Sequence, residues 1–439
     1  MTSDFQADWK TMPLEEWMAA IIDYRGKTPE KTSSGIPLIT AKIVKGGRIE
    51  DPQEFIAEDA YEQWMRRGIP EAGDVVLTTE APLGEVAQLG GEKVALAQRV
   101  ITLRGKPDLL DNTYLKFALQ SQPIQEQLQG RASGSTVTGI KQSELRKLQL
   151  TFPPLEEQRR IARILGSVDD KIDLNRRINQ TLGAMAQAIF KSWFVDFDPV
   201  RAKIAAKAEG HDPLRAAMSA ISGKPGAELD ALPSEQYDQL ASTAALFPDG
   251  MEESELGEIP RGWTVPRVSN VLELVYGKAL KSTDRLEGTV PVYGSGGVTG
   301  YHNAPLVPHG SIIVGRKGTV GSLYWEDEPF FPIDTTYYVR PLAAPLTFCY
   351  YAMQTLGLEK MNTDAAVPGL NRENVYRLEL VLPDLDALQK FDVEVLALRK
   401  AMSANSNSNK ALANLRNTLL PKLLSGELPV EKVLMEADK

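Results

Sequence analysis

The sequence predicts an α+β protein built from two duplicated α/β modules, each followed by a long helix, with the two helices pairing as an antiparallel coiled coil. Three observations support this prediction: an internal repeat, mixed strand and helix patterns ahead of each long helix, and a heptad pattern in both helices. At 439 residues, with 43% apolar and 24% charged residues, the chain has a globular composition and the length of two to three domains.

The repeat is clearest at the end of each module. Residues 138–158 read TGIKQSELRKLQLTFPPLEEQ, and residues 368–389 read PGLNRENVYRLELVLPDLDALQ. An offset of 230 aligns Gly139 with Gly369 and continues into both long helices. Upstream, AGDVVLTTEAPLGEVA parallels HGSIIVGRKGTVGSLY at a drifting offset, as loop insertions would produce. The modules are therefore predicted to share one fold.

Within each module, a glycine before an apolar run (Val75–Leu77, Ile312–Val314) predicts a turn into a buried strand. Helices are predicted over 113–129 and 346–361. The predicted layout is a first module at 1–153, a long helix at 154–200, an acidic and partly helical linker at 201–258, a second module at 259–383, a second long helix at 384–426 and a tail at 427–439.

Both long helices carry a heptad pattern. The a positions are Ile161, Val168, Asn175, Leu182 and Ile189 in the first helix, and Phe391, Leu398, Asn405, Leu412 and Leu419 in the second. The d positions assigned to the first helix are Ile164, Lys171, Ile178 and Met185. One buried asparagine in an apolar seam costs stability but fixes register, so Asn175 and Asn405 are predicted register residues. The alternative is that each helix packs only on its own module.

The first long helix ends in an aromatic patch, which consists of Phe190, Trp193, Phe194 and Phe197. A two-helix seam does not need so many rings. Phe190, Trp193 and Phe194 are therefore candidates for docking another chain, and a local core is the alternative.

Composition narrows the expected cellular location and the kinds of binding partner. The net charge is −9, of which residues 201–260 supply −6, with five basic and eleven acidic residues, so the flanking modules can still bind a polyanion. The single cysteine, Cys349, excludes a disulfide framework and a multi-cysteine metal site. No signal pattern and no apolar run of 18 residues occurs, and a cytoplasmic protein is expected.

The sequence lacks several well-known catalytic motifs. The glycine-rich segments GSGGVTG and GRKGTVG lack the GK[ST] ending of a phosphate-binding loop, and neither repeat has a GxGxxG opening a βαβ unit. The [DN]PP[YF] tetrapeptide of amino-methyltransferases is also missing. The chain is predicted to be a binder, with no catalytic residue and no metal ligands.

The helical segments resemble a known family. PPLEEQRRIARILGSVDDKIDLNRRINQTLGAMAQAIFKSWFVDFDPV is similar to the central helical region of the specificity subunit of type I restriction–modification systems. SELGEIPRGW resembles the entry into its second target-recognition domain, and LRNTLLPKLLSGEL its closing helix. The resemblance covers nearly the whole chain.

The resemblance implies a division of labour. Each target-recognition domain would read one half of a bipartite, asymmetric double-stranded DNA target, with the helices as a spacer that fixes the gap. Two methylation subunits would dock to give an adenine-N6 methyltransferase, and up to two restriction subunits could join as an ATP-dependent nuclease. S-adenosylmethionine, ATP and Mg²⁺ would belong to those partners, with no cofactor in this chain.

Candidate DNA-binding residues are basic, hydroxyl and amide side chains in predicted turns, which suit phosphate contacts and base edges. In the first module they are Arg25, Lys27, Lys42, Lys45, Arg48, Ser133, Ser135, Thr136, Thr138 and Lys141. In the second they are Lys278, Lys281, Tyr293, Ser295, Arg316, Lys317, Asn371 and Arg372.

Other functions remain open from the sequence. The subunit could pair with a fused methylase–nuclease, which neighbouring genes would decide. A coiled-coil adaptor that binds only proteins would show no DNA preference even when assembled. A self-contained methyltransferase or nuclease is disfavoured by the missing motifs.

Overall fold

The structure, a computed structural model, describes residues 8–24, 28–134, 137–361 and 369–431. The chain divides into two units, which are Met1–Asn175 with Asn407–Lys439, and Arg176–Ser406. In these described ranges no helix combines the length and apolar character needed to cross a membrane.

The first unit opens with a module of short strands and helices. Its elements are β1 (Lys10–Pro13), α1 (Leu14–Trp17), β2 (Met18–Asp23), β3 (Ile36–Ile39), β4 (Val44–Lys45), β5 (Arg48–Ile49), β6 (Phe55–Ile56), α2 (Tyr61–Trp64), β7 (Val75–Thr79), β8 (Leu83–Gln88), β9 (Ala95–Leu96), β10 (Val100–Gly105), α3 (Asn112–Gln120), α4 (Gln122–Gly130), α5 (Gln142–Leu145) and β11 (Gln149–Phe152).

These strands form a four-stranded antiparallel sheet in the order β2-β10-β7-β8 and a three-stranded sheet in the order β6-β3-β9, whose β3–β9 pair is parallel. The main core lies where α3 and α4 cover the larger sheet, around Trp17, Phe117 and Phe152. The single helix predicted over 113–129 is instead two, because Pro123 near the start of α4 has no N–H to continue a helix from α3.

The first long helix is α6 (Leu155–Phe194), which is 40 residues long. The linker forms α7 (Asp198–Ala208), α8 (Pro213–Ser222), α9 (Gly226–Leu229), α10 (Ser234–Ala245) and the hairpin β12 (Met251–Ser254) and β13 (Gly257–Pro260). Ala217, Met218, Leu229 and Ala244 form a small core between its helices. The linker is therefore more ordered than a solvated connector.

The second module repeats the first. Its elements are α11 (Val268–Val271), β14 (Leu272–Tyr276), β15 (Val290–Gly294), β16 (Gly297–His302), β17 (Ser311–Gly315), β18 (Leu323–Glu326), β19 (Phe331–Pro332), β20 (Thr336–Pro341), α12 (Leu346–Thr355) and α13 (Arg372–Tyr376), followed by the second long helix, α14 (Leu385–Leu424).

The sheet orders of the second module are β14-β20-β17-β18 and β16-β15-β19, and β15–β19 is its parallel pair. Both orders and both parallel pairs match those of the first module. The predicted α+β duplication is confirmed at the level of topology.

The segments of α6 and α14 pack antiparallel within each unit, as predicted. In the first unit Asp169 pairs with Arg416 at 2.9 Å and Asn175 contacts Asn409, so residue numbers rise on one helix as they fall on the other. In the second unit Asn179 contacts Asn405 and Phe190 packs edge-on against Phe391, which gives the same antiparallel order.

The predicted a positions lie in the seam, but the predicted d positions are wrong. The buried second row of α6 comes one residue later, at Leu165, Ile172 and Ala186. Ile178 and Met185 are instead 38% and 47% exposed. Buried positions along a helix seam are separated alternately by three and four residues. In α6 the second buried row follows the a positions by four residues, whereas the predicted d positions follow them by three.

Candidate nucleic-acid interface

One edge of the larger sheet in the second unit collects loops that carry basic side chains. β14 ends at Tyr276, β17 ends at Gly315 and β20 begins at Thr336, and because these neighbours are antiparallel the three ends meet. The loop that leads into α13 joins the same edge through a bridge between Lys317 and Gly369.

A close turn holds the loop after β14 against this edge. A Cβ on Gly277 would lie 2.2 Å from the carbonyl oxygen of Ile333, so only glycine fits there. Lys278 N donates to the carbonyl oxygen of Pro332 at 3.0 Å. The backbone that presents Lys278 is therefore fixed.

Tyr276 is the centre of the cluster at this edge and is 45% exposed. Its ring packs on Tyr337 with centroids 4.9 Å apart. The guanidinium carbons of Arg316 and Arg372 lie 4.9 and 5.1 Å from the Tyr276 centroid. Tyr276, Arg316 and Arg372 are hereafter the Tyr276 cluster. Cation–π contacts hold both arginines beside an accessible aromatic ring.

Other predicted residues of the second module have different surroundings. Lys278, Lys281 and Lys317 are exposed. Asn371 is the N-cap of α13, where its Oδ1 accepts a hydrogen bond from Glu373 N at 2.9 Å. Ser295 is half-buried, and its Oγ accepts from the backbone of the glycine-rich loop after β17.

Tyr293 was predicted to bind DNA, but its surroundings do not fit that prediction. Its side chain is 8% exposed, and its hydroxyl donates to Glu326 Oε2 at 2.8 Å. Burial, together with the hydrogen bond to Glu326, raises the pKa of the Tyr293 hydroxyl above its ordinary value. Tyr293 is a core residue of its sheet, and its buried side chain offers little surface to a ligand.

The matching edge of the first unit has a different charge. The position after β7 is Glu80, which pairs with Arg99 at 3.0 Å. Glu80 also bridges to Gly139, which brings in the predicted hydroxyl-rich loop. Ser133, Thr138 and Lys141 are exposed around this loop.

A second group of predicted residues lies on the β4–β5 hairpin. Lys42 and Lys45 are exposed, and Lys45 pairs with Glu50 at 3.2 Å. Arg48 lines a cavity of about 730 Å³ whose lining also includes Asp169 and other carboxylates. The acidic lining makes this cavity unsuited to a phosphate backbone. Four further candidates, Arg25, Lys27, Ser135 and Thr136, lie outside the described residues.

The aromatic end of α6 corrects the docking prediction. Phe190, Trp193 and Phe194 are only 4–5% exposed. Trp193 packs edge-on against Phe247 at 5.1 Å, and Phe194 against Phe348 at 5.4 Å. These rings fill the core of the second unit, which leaves them no face for another chain.

The two predicted register residues each bond a second asparagine. Asn175 Nδ2 donates to Asn409 Oδ1 in the first unit, and Asn405 Nδ2 donates to Asn179 Oδ1 in the second, both at 2.9 Å. The 230-residue offset of the repeat converts one pair into the other. Their role in fixing register stays a prediction.

The sequence patterns do not predict an exposed Tyr276. In the LELVY strand Leu272 and Leu274 are buried, so two-residue alternation assigns Tyr276 to the same buried face. Because β14 ends there, the ring instead emerges at the edge.

Comparison with known proteins places the chain. The family profile described as type I restriction modification DNA specificity domain matches residues 6–184 and 260–409, once per module. The chain belongs to this family. It is thus a specificity chain with two target-recognition domains.

Two relatives are also named as type I specificity subunits. The chain is 34% identical over 321 residues to the type I restriction enzyme HindI specificity subunit of Haemophilus influenzae, covering 64% of this chain and 69% of that one. It is 22% identical to the MjaIX specificity subunit of Methanocaldococcus jannaschii, covering 93% and 90%. The crystal structure of the S subunit from M. genitalium matches with a TM-score of 0.53 at 18% identity, covering 97% of this chain and 98% of that one, and shares the fold.

Proposed function

We propose that this chain is the DNA-recognition and scaffold subunit of a type I restriction–modification complex, in which each target-recognition domain reads one half of a bipartite double-stranded target. The observation that carries the proposal for the second domain is the Tyr276 cluster, with Lys278 and Lys317 beside it. A cluster of cations on one edge of a domain is the electrostatic footprint expected of a nucleic-acid-binding surface.

Contacts at such an edge divide into two kinds. Exposed lysines such as Lys278, Lys281 and Lys317 are suited to phosphates, which position a domain without reading sequence. Arginines held by packing, such as Arg316, are suited to base edges in the major groove. In the first domain, Ser133, Thr138 and Lys141 would supply phosphate contacts beside Glu80.

The long helices support the scaffold role. Each has 40 residues and is about 60 Å long at 1.5 Å per residue. We propose that they fix the gap between the half-targets and carry two methylation subunits, which methylate adenine N6 with S-adenosylmethionine. Up to two restriction subunits, using ATP and Mg²⁺, would complete the complex.

Reconstitution tests this function. The chain is co-expressed with its methylation subunits, and methylated adenines are mapped across a genome that lacks other adenine methylation. The expected result is one bipartite motif with a fixed gap, and no methylation without this chain. Methylation at unrelated sites, or none on any DNA, would contradict the proposal. A complex that assembles but shows no preference for any DNA sequence would favour the protein-only adaptor.

A further inference from the structure

We propose that Arg316 recognises a guanine in the half-target of the second domain, and that Tyr276 and Arg372 hold its guanidinium in the reading position. This inference rests on the proposed function and deepens it, because it assigns a specificity-determining residue and a base. Arginine donates two hydrogen bonds to O6 and N7 of guanine, an arrangement that no other base pair offers in the major groove.

The backbone of Arg316 is fixed on both sides. Its N–H donates to Thr335 O at 2.9 Å, and its carbonyl oxygen accepts from Leu370 N at 2.8 Å. These bonds attach the residue to the start of β20 and to the loop before α13. The position of its Cα therefore does not depend on a ligand.

The side chain of Arg316 is also held. One terminal nitrogen donates to Asp334 O at 3.1 Å, and the guanidinium lies 4.9 Å from the Tyr276 centroid and 5.8 Å from that of Tyr337. An arginine restrained in this way loses little side-chain entropy when it binds a base, which strengthens discrimination.

The charge of Arg316 is left for a ligand. Among the residues that the structure describes, it has no carboxylate within ion-pair distance, whereas Arg372 pairs with Glu373 at 3.6 Å. Arg372 contacts the same ring, at 5.1 Å, and also Tyr376, at 5.5 Å. Arg372 is thus better suited to support the Tyr276 ring, and Arg316 is better suited to contact a base.

The test uses the whole complex with its methylation subunits and maps methylated motifs for wild type, Arg316→Ala and Tyr276→Ala. Arg340→Ala is the matched control, because Arg340 is an exposed arginine near the end of β20 that lies opposite the edge carrying Arg316. For Arg316→Ala we expect the guanine requirement at one position of the second half-target to fall roughly 5- to 100-fold. The first half-target and the Arg340→Ala motif should not change.

A variant could bind DNA without methylating it. For such a variant the preferred bases are measured by competitive selection from DNA randomised in one half-target. Wild type is expected to enrich guanine at one position in the second half, and Arg316→Ala to lose only that preference. A uniform loss of binding with an unchanged motif would identify a phosphate contact and overturn the inference. A wild-type motif without a G·C pair in the second half would overturn it too, while leaving the proposed function intact. A wild-type complex that selects no motif would instead defeat the proposed function.

Discussion

Asn175 lies in the helix seam of the first unit with its side-chain amide 2.9 Å from the Oδ1 of Asn409. Asn175 is only 2% exposed, so water cannot replace its partner. We expect a polar pair of this kind to favour one register, because sliding either helix would leave the buried Asn175 amide unsatisfied.

We expect Asn175→Leu to destabilise the first unit by about 1–3 kcal/mol, since it strands Asn409 without a partner. The double variant Asn175→Leu with Asn409→Leu should recover most of the loss. Hydrogen exchange of the α6 amides measures both effects, and Lys171→Ala, on the exposed face, is the control. A single variant as stable as wild type would show that the pair does not constrain the seam.

Asp169 links two basic side chains in the first unit, Lys116 at 2.8 Å and Arg416 at 2.9 Å. All three side chains are less than one-fifth exposed. Asp169→Asn should therefore cost roughly 2–4 kcal/mol, because two poorly solvated cations lose their counter-charge. Asp170→Asn, at the exposed neighbouring position, is the control, and equal stability of the two variants would contradict the expectation.

Phe190→Ala should destabilise the second unit by about 3–5 kcal/mol, as expected for a buried aromatic side chain. Val195→Ala, at a 43% exposed position in the same segment, should change stability little. Denaturant unfolding of both variants measures the difference. If Phe190→Ala left stability unchanged but abolished binding of a methylation subunit, the docking prediction would be restored.

Replacing Lys317 with Gln should weaken DNA binding by the complex equally on all sequences. It should also reduce the slope of log K against log salt by about 0.9 if the lysine neutralises one phosphate. Binding titrations at several salt concentrations test this. Lys207→Gln, in the linker helix α7 and paired with Asp249, should leave the slope unchanged. A changed methylation motif would mean that Lys317 contacts a base.

Burial raises the pKa of the Cys349 thiol to about 12, well above its ordinary value near 8.5. The thiol therefore stays protonated at pH 8, and a thiol reagent should react only as the second unit unfolds. The raised pKa also means that this group stabilises the fold below pH 8.5 and that the contribution is lost as pH rises toward 12. Rapid labelling of the native protein at pH 8 would contradict the buried environment.

The sequence predicted the larger organisation well because the repeat constrains it twice. Gly139 and Gly369 align, and both modules have the same strand orders. The sequence determined less well which residues of α6 face the seam. Ile164 and Leu165 are adjacent apolar residues, and Leu165 is identified as the buried one only by the packing in the folded chain. At the candidate interface, loop charge made Arg316 a candidate, and its role stays a prediction; no local pattern distinguishes a buried Tyr293 from an exposed Tyr276. Their environments depend on where neighbouring strands end.

The carboxylate of Glu80 and the guanidinium of Arg316 occupy matching places, each directly after the third strand in its sheet order. An acceptor and a donor cannot prefer the same base edge. If the two half-targets were identical, one of the two domains would consequently meet base edges that do not match its side chain, in either orientation of the duplex. The proposed function therefore predicts that the chain distinguishes the two directions along a DNA molecule, and that a palindromic duplex is a poor ligand.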